Sequence, residues 1–105
     1  MKRQFISKLS IDPYPGTLNL EIVDPGSLRT FKELKAQKGI EITPEDPSFC
    51  SAQCYPVLIN GQLKAAIVFP LVKNYPENKM ELIASLNIKE VLSVKAGDDL
   101  EVEIL

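Results

Sequence analysis

Thr17 and Asn19 are the residues in this chain whose type and spacing most directly invite chemistry. They lie in Pro13-Tyr14-Pro15-Gly16-Thr17-Leu18-Asn19-Leu20, where apolar and polar residues alternate. On a strand, positions i and i+2 share one face, roughly 6.5–7 Å apart. Both residues therefore present a side-chain oxygen to the polar face. Oxygen donors suit Mg²⁺, which keeps several waters and completes its shell with substrate phosphates. Gly16 leaves room for a phosphate or a loop to approach the backbone. The plainer alternative is that Thr17 and Asn19 are only the solvent face of a half-buried strand. Glu81 is the second candidate. It faces away from Met80 and Leu82 on another strand, where a carboxylate can take a proton or a hydrogen bond from a substrate hydroxyl. Lys89-Glu90 opens a short helix, whose backbone N–H groups can hold an anion. For both of these, a solvated side chain is the alternative.

Much other chemistry is excluded. The chain has no histidine, so Ser-His-Asp and Cys-His systems and His-ligated zinc are ruled out. Its two cysteines, Cys50 and Cys54, cannot close a four-ligand zinc site, and their spacing is not that of a redox CxxC pair. They read as a small buried hydrophobe and a loop thiol rather than as ligands. Neither GxGxxG nor GxxxxGK[ST] occurs. Twelve basic against fourteen acidic residues give a net charge of −2, which argues against a broad nucleic-acid surface. The longest apolar run, Ala65 to Phe69, is too short to span a membrane. Met1-Lys2-Arg3-Gln4 leads into no apolar stretch of the secretory kind, so free thiols and a cytoplasmic location are expected.

The elements that position these residues follow from patterning. With 105 residues, 45% of them apolar, one domain is expected. Residues 3–9 suit a short helix with Phe5, Ile6 and Leu9 on one side, stopped by Pro13 and Pro15. Residues 16–23 suit a strand with Leu18, Leu20 and Ile22 inward. Residues 27–38 suit a helix capped by Ser27 and ended by Gly39, with Leu28, Phe31 and Leu34 as its apolar stripe. Ile40 to Ile42 suit a short strand, and 43–48 a Pro-rich loop whose Thr43-Pro44-Glu45-Asp46 is assigned no chemistry. Cys54 to Ile59 and Gln62 to Phe69 flank Asn60-Gly61, the preferred two-residue hairpin turn. Met80 to Ala84 form a further strand. Residues 86–92 form a short helix with Leu86, Val91 and Leu92 inward. After a turn at 96–98, Leu100, Val102 and Ile104 alternate with Glu101 and Glu103 in a last strand. Short strands with turn signals and two or three short helices imply a mainly β fold, a small closed barrel.

The run PYPGTLNLEI (13–22) resembles the signature of the archaeal CTP-dependent riboflavin kinases. The resemblance continues through CYPVLING (54–61), AAIVFP (65–70), NYPENKMELIA (74–84) and LNIKEVLSVKAGDDLEVEIL (86–105), and weakens across about 24–50. It implies a Greek-key, cradle-loop β-barrel that moves the terminal phosphoryl group of CTP to the 5′-hydroxyl of riboflavin, giving FMN and CDP. It implies Mg²⁺ on Thr17 and Asn19, and a flavin contact from Glu81. It also implies nucleotide contacts from Ile88, Lys89, Glu90 and Val91, with Gly16 and Lys73 lining the ligands. Phosphoryl transfer rests on positioning and charge neutralisation, so the lack of histidine is no obstacle.

Three departures from that pattern stand out. The family's opening strand and glycine-rich loop, roughly GxVxSGxGEG, are expected to be missing, which would leave a barrel strand absent. Lys89 replaces the usual arginine, keeping charge but not the planar fork. Lys73 replaces a threonine on the flavin side. Two further readings stand beside the kinase: a non-catalytic flavin- or nucleotide-binding module, and an interaction domain that forms a homodimer through an exposed sheet edge.

Overall fold

A computed structural model describes residues 2–15, 17–43, 51–95 and 97–105. The architecture is mainly β with three short helices. In chain order these are α1 (Lys2–Leu9), β1 (Leu18–Glu21), α2 (Pro25–Lys35), β2 (Ile40–Ile42), β3 (Ala52–Ile59), β4 (Leu63–Pro70), β5 (Lys79–Ile83), α3 (Ile88–Leu92) and β6 (Val102–Ile104). The strands form one antiparallel sheet in the order β1-β5-β4-β3-β2, and β6 also pairs with β3. The sheet curls into a half-barrel. Among the described residues β1 and β6 do not pair, so closure into a full barrel is not seen.

The long β3–β4 hairpin is the spine. Its register runs from Ala52↔Pro70 to Ile59↔Leu63. Asn60 and Gly61 both take positive φ, 50° and 66°, which matches the right-handed twist of the flanking strands. Apolar residues cover both faces of this hairpin. One face packs Tyr55, Val57, Ile59, Ala65 and Ile67 against Leu82 and Met80 of β5, Phe31 and Leu34 of α2, and Ile88 of α3. The other packs Cys54, Ala66 and Ile83 against Phe5 and Leu9 of α1, with Ile42. Two-sided burial explains why 54–59 and 65–69 read as continuous apolar runs rather than alternating ones.

Local details depart from the sequence pattern for identifiable reasons. Helix α2 begins earlier than 27 because Asp24, not Ser27, is the cap. Its Oδ2 accepts from Ser27 N–H (2.8 Å) and Ser27 Oγ (2.9 Å), with Pro25 in the first turn. The helix ends at Lys35, so Gly39 is not its stop. Gly39 instead lies against β3, where a Cβ would come within 2.7 Å of Cys54 O and 2.8 Å of the Tyr55 ring. Ile6 is exposed on α1, leaving Phe5 and Leu9 to pack. Leu86, just ahead of α3, and Val91 on it face solvent, while Ile88 supplies the buried contact and Leu92 packs against the same core. Gln4 clasps the Thr43 backbone through both amide atoms, fixing α1 to the end of β2. Cys50 and the acidic residues Glu45 and Asp46 lie outside the described residues.

Candidate functional site

Strand β1 pairs antiparallel with β5, with Leu18↔Leu82, Asn19↔Glu81 and Leu20↔Met80 in register. Ile22 N–H donates to Asn78 C=O at 2.8 Å. That bond sets the phase of the ladder, making Asn19 and Glu81 a non-hydrogen-bonded pair, the kind whose side chains stand closest. Leu18 and Leu20 pack against the core. Asn19 and Thr17 are exposed on the opposite face, as alternation requires.

Thr17 and Glu81 also meet. Thr17 Oγ1 donates to Glu81 Oε1 at 3.4 Å. The other oxygen, Oε2, accepts from Tyr75 Oη at 2.5 Å. Glu81 is half-buried, between these two donors and beside Asn19. Because Thr17 spends its proton on the carboxylate, its hydroxyl lone pairs remain available. The Thr17 hydroxyl and the Asn19 amide oxygen on one accessible face are hard donors that fit Mg²⁺ better than a soft metal, with the Glu81 carboxylate beside them as a hydrogen-bond acceptor. Among the described residues there is no cluster of three or more His, Cys, Asp or Glu that could hold a metal. Any cation site here must use neutral oxygens as well.

Tyr75 sits in the loop between β4 and β5. Its ring packs edge-on against Phe69, centroids 6.0 Å apart, with Lys79 Nζ 5.5 Å from the ring centroid. Burial, the hydrogen bond to Glu81 and the nearby carboxylate charge together raise the phenol pKa well above its ordinary value. The phenol is therefore a permanent donor to Glu81 at neutral pH.

Thr17 also lines a cavity of about 160 Å³ with Tyr14, Pro15, Leu18, Ala84, Leu86, Asn87, Ile88 and Lys89. Asn87 caps α3, its Oδ1 accepting from Glu90 N–H at 3.3 Å, while its Nδ2 donates to Tyr14 Oη at 3.4 Å. Tyr14 is anchored by its own N–H on Ala84 C=O at 2.8 Å. The cavity thus joins the Thr17 end of β1 to the start of α3, with the exposed Lys89 at its wall.

The sequence-derived candidates divide accordingly. Thr17, Asn19 and Glu81 come together; Ile88 and Lys89 share the small cavity with Thr17. Glu90 and Val91 are exposed on α3 and do not line that cavity. Lys73 is exposed on the β4–β5 loop, two residues before Tyr75. Gly16 lies outside the described residues. Sequence reasoning missed Tyr75, Tyr14 and Asn87. The aromatic spacing to Glu81 has no periodic signal, though an Asn three residues before Glu90 is a capping pattern. It also missed a cavity of about 880 Å³ on the core side of the sheet, between the β1 edge, α2 and the β6 edge. Leu20, Ile22, Phe31 and Val102 give it apolar walls; Glu21, Asp24, Asp98 and Asp99 add acid.

No helix among the described residues is long and apolar enough to cross a membrane. The family model described as "Domain of unknown function DUF120", labelled CTP-dep_RFKase, matches residues 1–104. A protein named riboflavin kinase from Methanocella arvoryzae is 38% identical over 103 residues, 98% of this chain and 46% of that protein. Its namesake from Archaeoglobus fulgidus is 38% identical over 108 residues, 99% of this chain and 45% of the relative. A third riboflavin kinase, from Methanothermobacter thermautotrophicus, is 32% identical over 101 residues, 96% of this chain and 79% of the relative. The chain therefore spans about half the length of the first two relatives and most of the third. With a family match along almost its whole length, this chain belongs to the DUF120 family of CTP-dependent riboflavin kinases.

Proposed function

We propose that this chain transfers the terminal phosphoryl group of CTP to the 5′-hydroxyl of riboflavin, giving FMN and CDP. The observation that carries the reading is the convergence of Thr17, Asn19 and Glu81 on one accessible face of the β1–β5 pair. The riboflavin oxygen attacks the terminal phosphorus, the bond to the bridging oxygen of CDP breaks, and the hydroxyl proton passes toward Glu81. Glu81 receives the hydroxyl as hydrogen-bond acceptor and base, since it carries no donor of its own when ionised. Thr17 and Asn19 would hold Mg²⁺, which when bound neutralises phosphate charge. Lys89, at the wall of the cavity that Thr17 and Ile88 also line, offers an ammonium to the nucleotide phosphates, and Glu90 and Val91, exposed on α3 outside that cavity, would meet the nucleotide beyond it. Gly16 and Lys73 complete the ligand surround in this reading. The reaction is assigned to the reducing cytoplasm, where a thiol such as Cys54 stays free.

The direct test incubates the purified chain with riboflavin, CTP and Mg²⁺ and follows FMN by chromatography. FMN formation that requires CTP and Mg²⁺ supports the reading. No FMN at high protein concentration ends it.

A second reading is favoured by the β1 edge, which pairs with no further strand among the described residues. Ladder phase turns the backbone groups of Asn19 and Glu21 away from β5, leaving an edge available to a strand of a second copy. In that case the chain is an interaction domain that dimerises through this edge, and a non-catalytic module that binds flavin or nucleotide without turnover is the other alternative to the kinase. Sedimentation showing only monomer at high concentration removes the dimer, and absence of FMN binding removes the ligand.

A further inference from the structure

We propose that Tyr75 is a positioning residue for the reaction: its hydroxyl fixes the Glu81 carboxylate so that Oε1 is presented beside Thr17. This rests on the kinase reading above. A glutamate side chain has three rotatable torsions and loses substantial freedom when held in one pose. Here the pose is fixed at Oε2 by Tyr75 Oη at 2.5 Å, a short bond of the charge-assisted kind. The opposite oxygen points to Thr17 Oγ1 at 3.4 Å, a long contact that leaves Oε1 free to receive another donor. The two oxygens thus have different partners and different duties. Oε2 is occupied; Oε1 is the open one, on the same side as the Thr17–Asn19 face.

Tyr75 is itself held independently of Glu81. Its ring meets Phe69 edge-on and lies under Lys79. The hydroxyl therefore acts from a fixed platform on the strand-to-strand loop, and the Glu81 backbone is fixed by pairing with both Asn19 and Val68. With both ends pinned, the Tyr75–Glu81 bond has one main effect, the direction of the carboxylate. A positioned base matters for rate because misplacement of the accepting atom weakens proton transfer directly.

Tyr75→Phe tests this with little disturbance, since the ring and its contacts stay. The expected result is a fall in kcat for FMN formation of about 10- to 100-fold, the loss of a hydrogen bond to a charged group. KM for CTP should stay within about twofold, because the nucleotide side of the site is untouched. Glu81→Gln should cost more, and Tyr75→Phe added to Glu81→Gln should cost nothing further, because Tyr75 acts through that carboxylate. A merely structural Tyr75 would give additive losses. An activity-free readout accompanies these: the share of phenolate absorbance that titrates last in the parent chain, identified by its loss in Tyr75→Phe, should move to lower pH in Glu81→Gln. Unchanged kcat in Tyr75→Phe from an active parent, or additive losses in the double variant, overturns the proposal alone. An inactive parent overturns the kinase reading together with this role, and the absorbance titration then still reports whether the bond forms in solution.

Discussion

Asn19 and Glu81 face each other across the β1–β5 ladder as partners in register. Their placement is enforced from the other side of the sheet. Leu18 and Leu20 of β1 and Met80 and Leu82 of β5 bracket them in sequence and pack into the core. Sliding β1 by one residue would bury Asn19 and expose those leucines, so the apolar face holds the register that the polar face uses. The hydrophobic core and the candidate chemistry are two sides of one pairing.

Removing the neutral oxygens should therefore separate activity from stability. Thr17→Ala and Asn19→Ala alter exposed side chains, so unfolding free energy should change by no more than about 0.5 kcal/mol. FMN formation should fall by at least about 100-fold, since each loses a donor to a cation that stabilises transferring charge. Raising the Mg²⁺ concentration should restore part of the activity in both. Thermal melts beside initial rates check the separation; parallel loss of stability and rate would contradict it.

The opposite face predicts the opposite result. Leu82 is fully buried, directly between Glu81 and Ile83. Leu82→Ala should destabilise by about 2–5 kcal/mol through lost transfer energy and the cavity left behind. Urea denaturation measures this. Activity per folded molecule, taken well below the transition, should fall less than in Thr17→Ala.

Alternation made this face readable in advance. The Leu18-Asn19-Leu20 pattern separates core from solvent with a period of two, and Asn60-Gly61 specifies its turn through backbone conformation alone. What escaped was set by tertiary contact. Leu86 and Val91 read as inward-facing, yet α3 has only five residues and buries Ile88 instead. Ser27 reads as a cap by residue type; Asp24, ahead of Pro25, reaches the same N–H groups first. Tyr75 lies within the family signature NYPENKMELIA, but the pattern gives it no role. Its partner depends on how the β4–β5 loop folds back, which no local pattern encodes. The cavity beside α2 depends on the separation of β1 and β6, a property of sheet curvature rather than of either strand.

Gly39 gives a sharper test of tertiary constraint. A Cβ there would meet Cys54 O at 2.7 Å and the Tyr55 ring at 2.8 Å. The first atom is backbone in the central strand, and the Tyr55 hydroxyl is tied to Gln37 C=O at 2.8 Å, so neither yields readily. Gly39→Ala should cost about 1–3 kcal/mol, the range for overpacking, despite alanine's better intrinsic backbone entropy. A helix-stop role would give only a small change. A chemical denaturation curve distinguishes the two.

Asp24 supplies the pH dependence. Its hydrogen bonds from the Ser27 N–H and then the Ser27 hydroxyl lower its pKa below 3.8 in the folded chain. The unfolded chain binds the proton first as pH falls, so folding loses stability through this group below 3.8 and down through the folded value. Above about pH 5 the cap is ionised in both states and its contribution is constant. Asp24→Ala should therefore lower Tm by a fixed amount from about pH 5 to 7, with the gap to the parent narrowing steadily as pH drops below 3.8. Melts across this range at constant ionic strength read the difference. A gap that widens in acid would mean that Asp24 is not held ionised by Ser27, and the α2 start would need another cap.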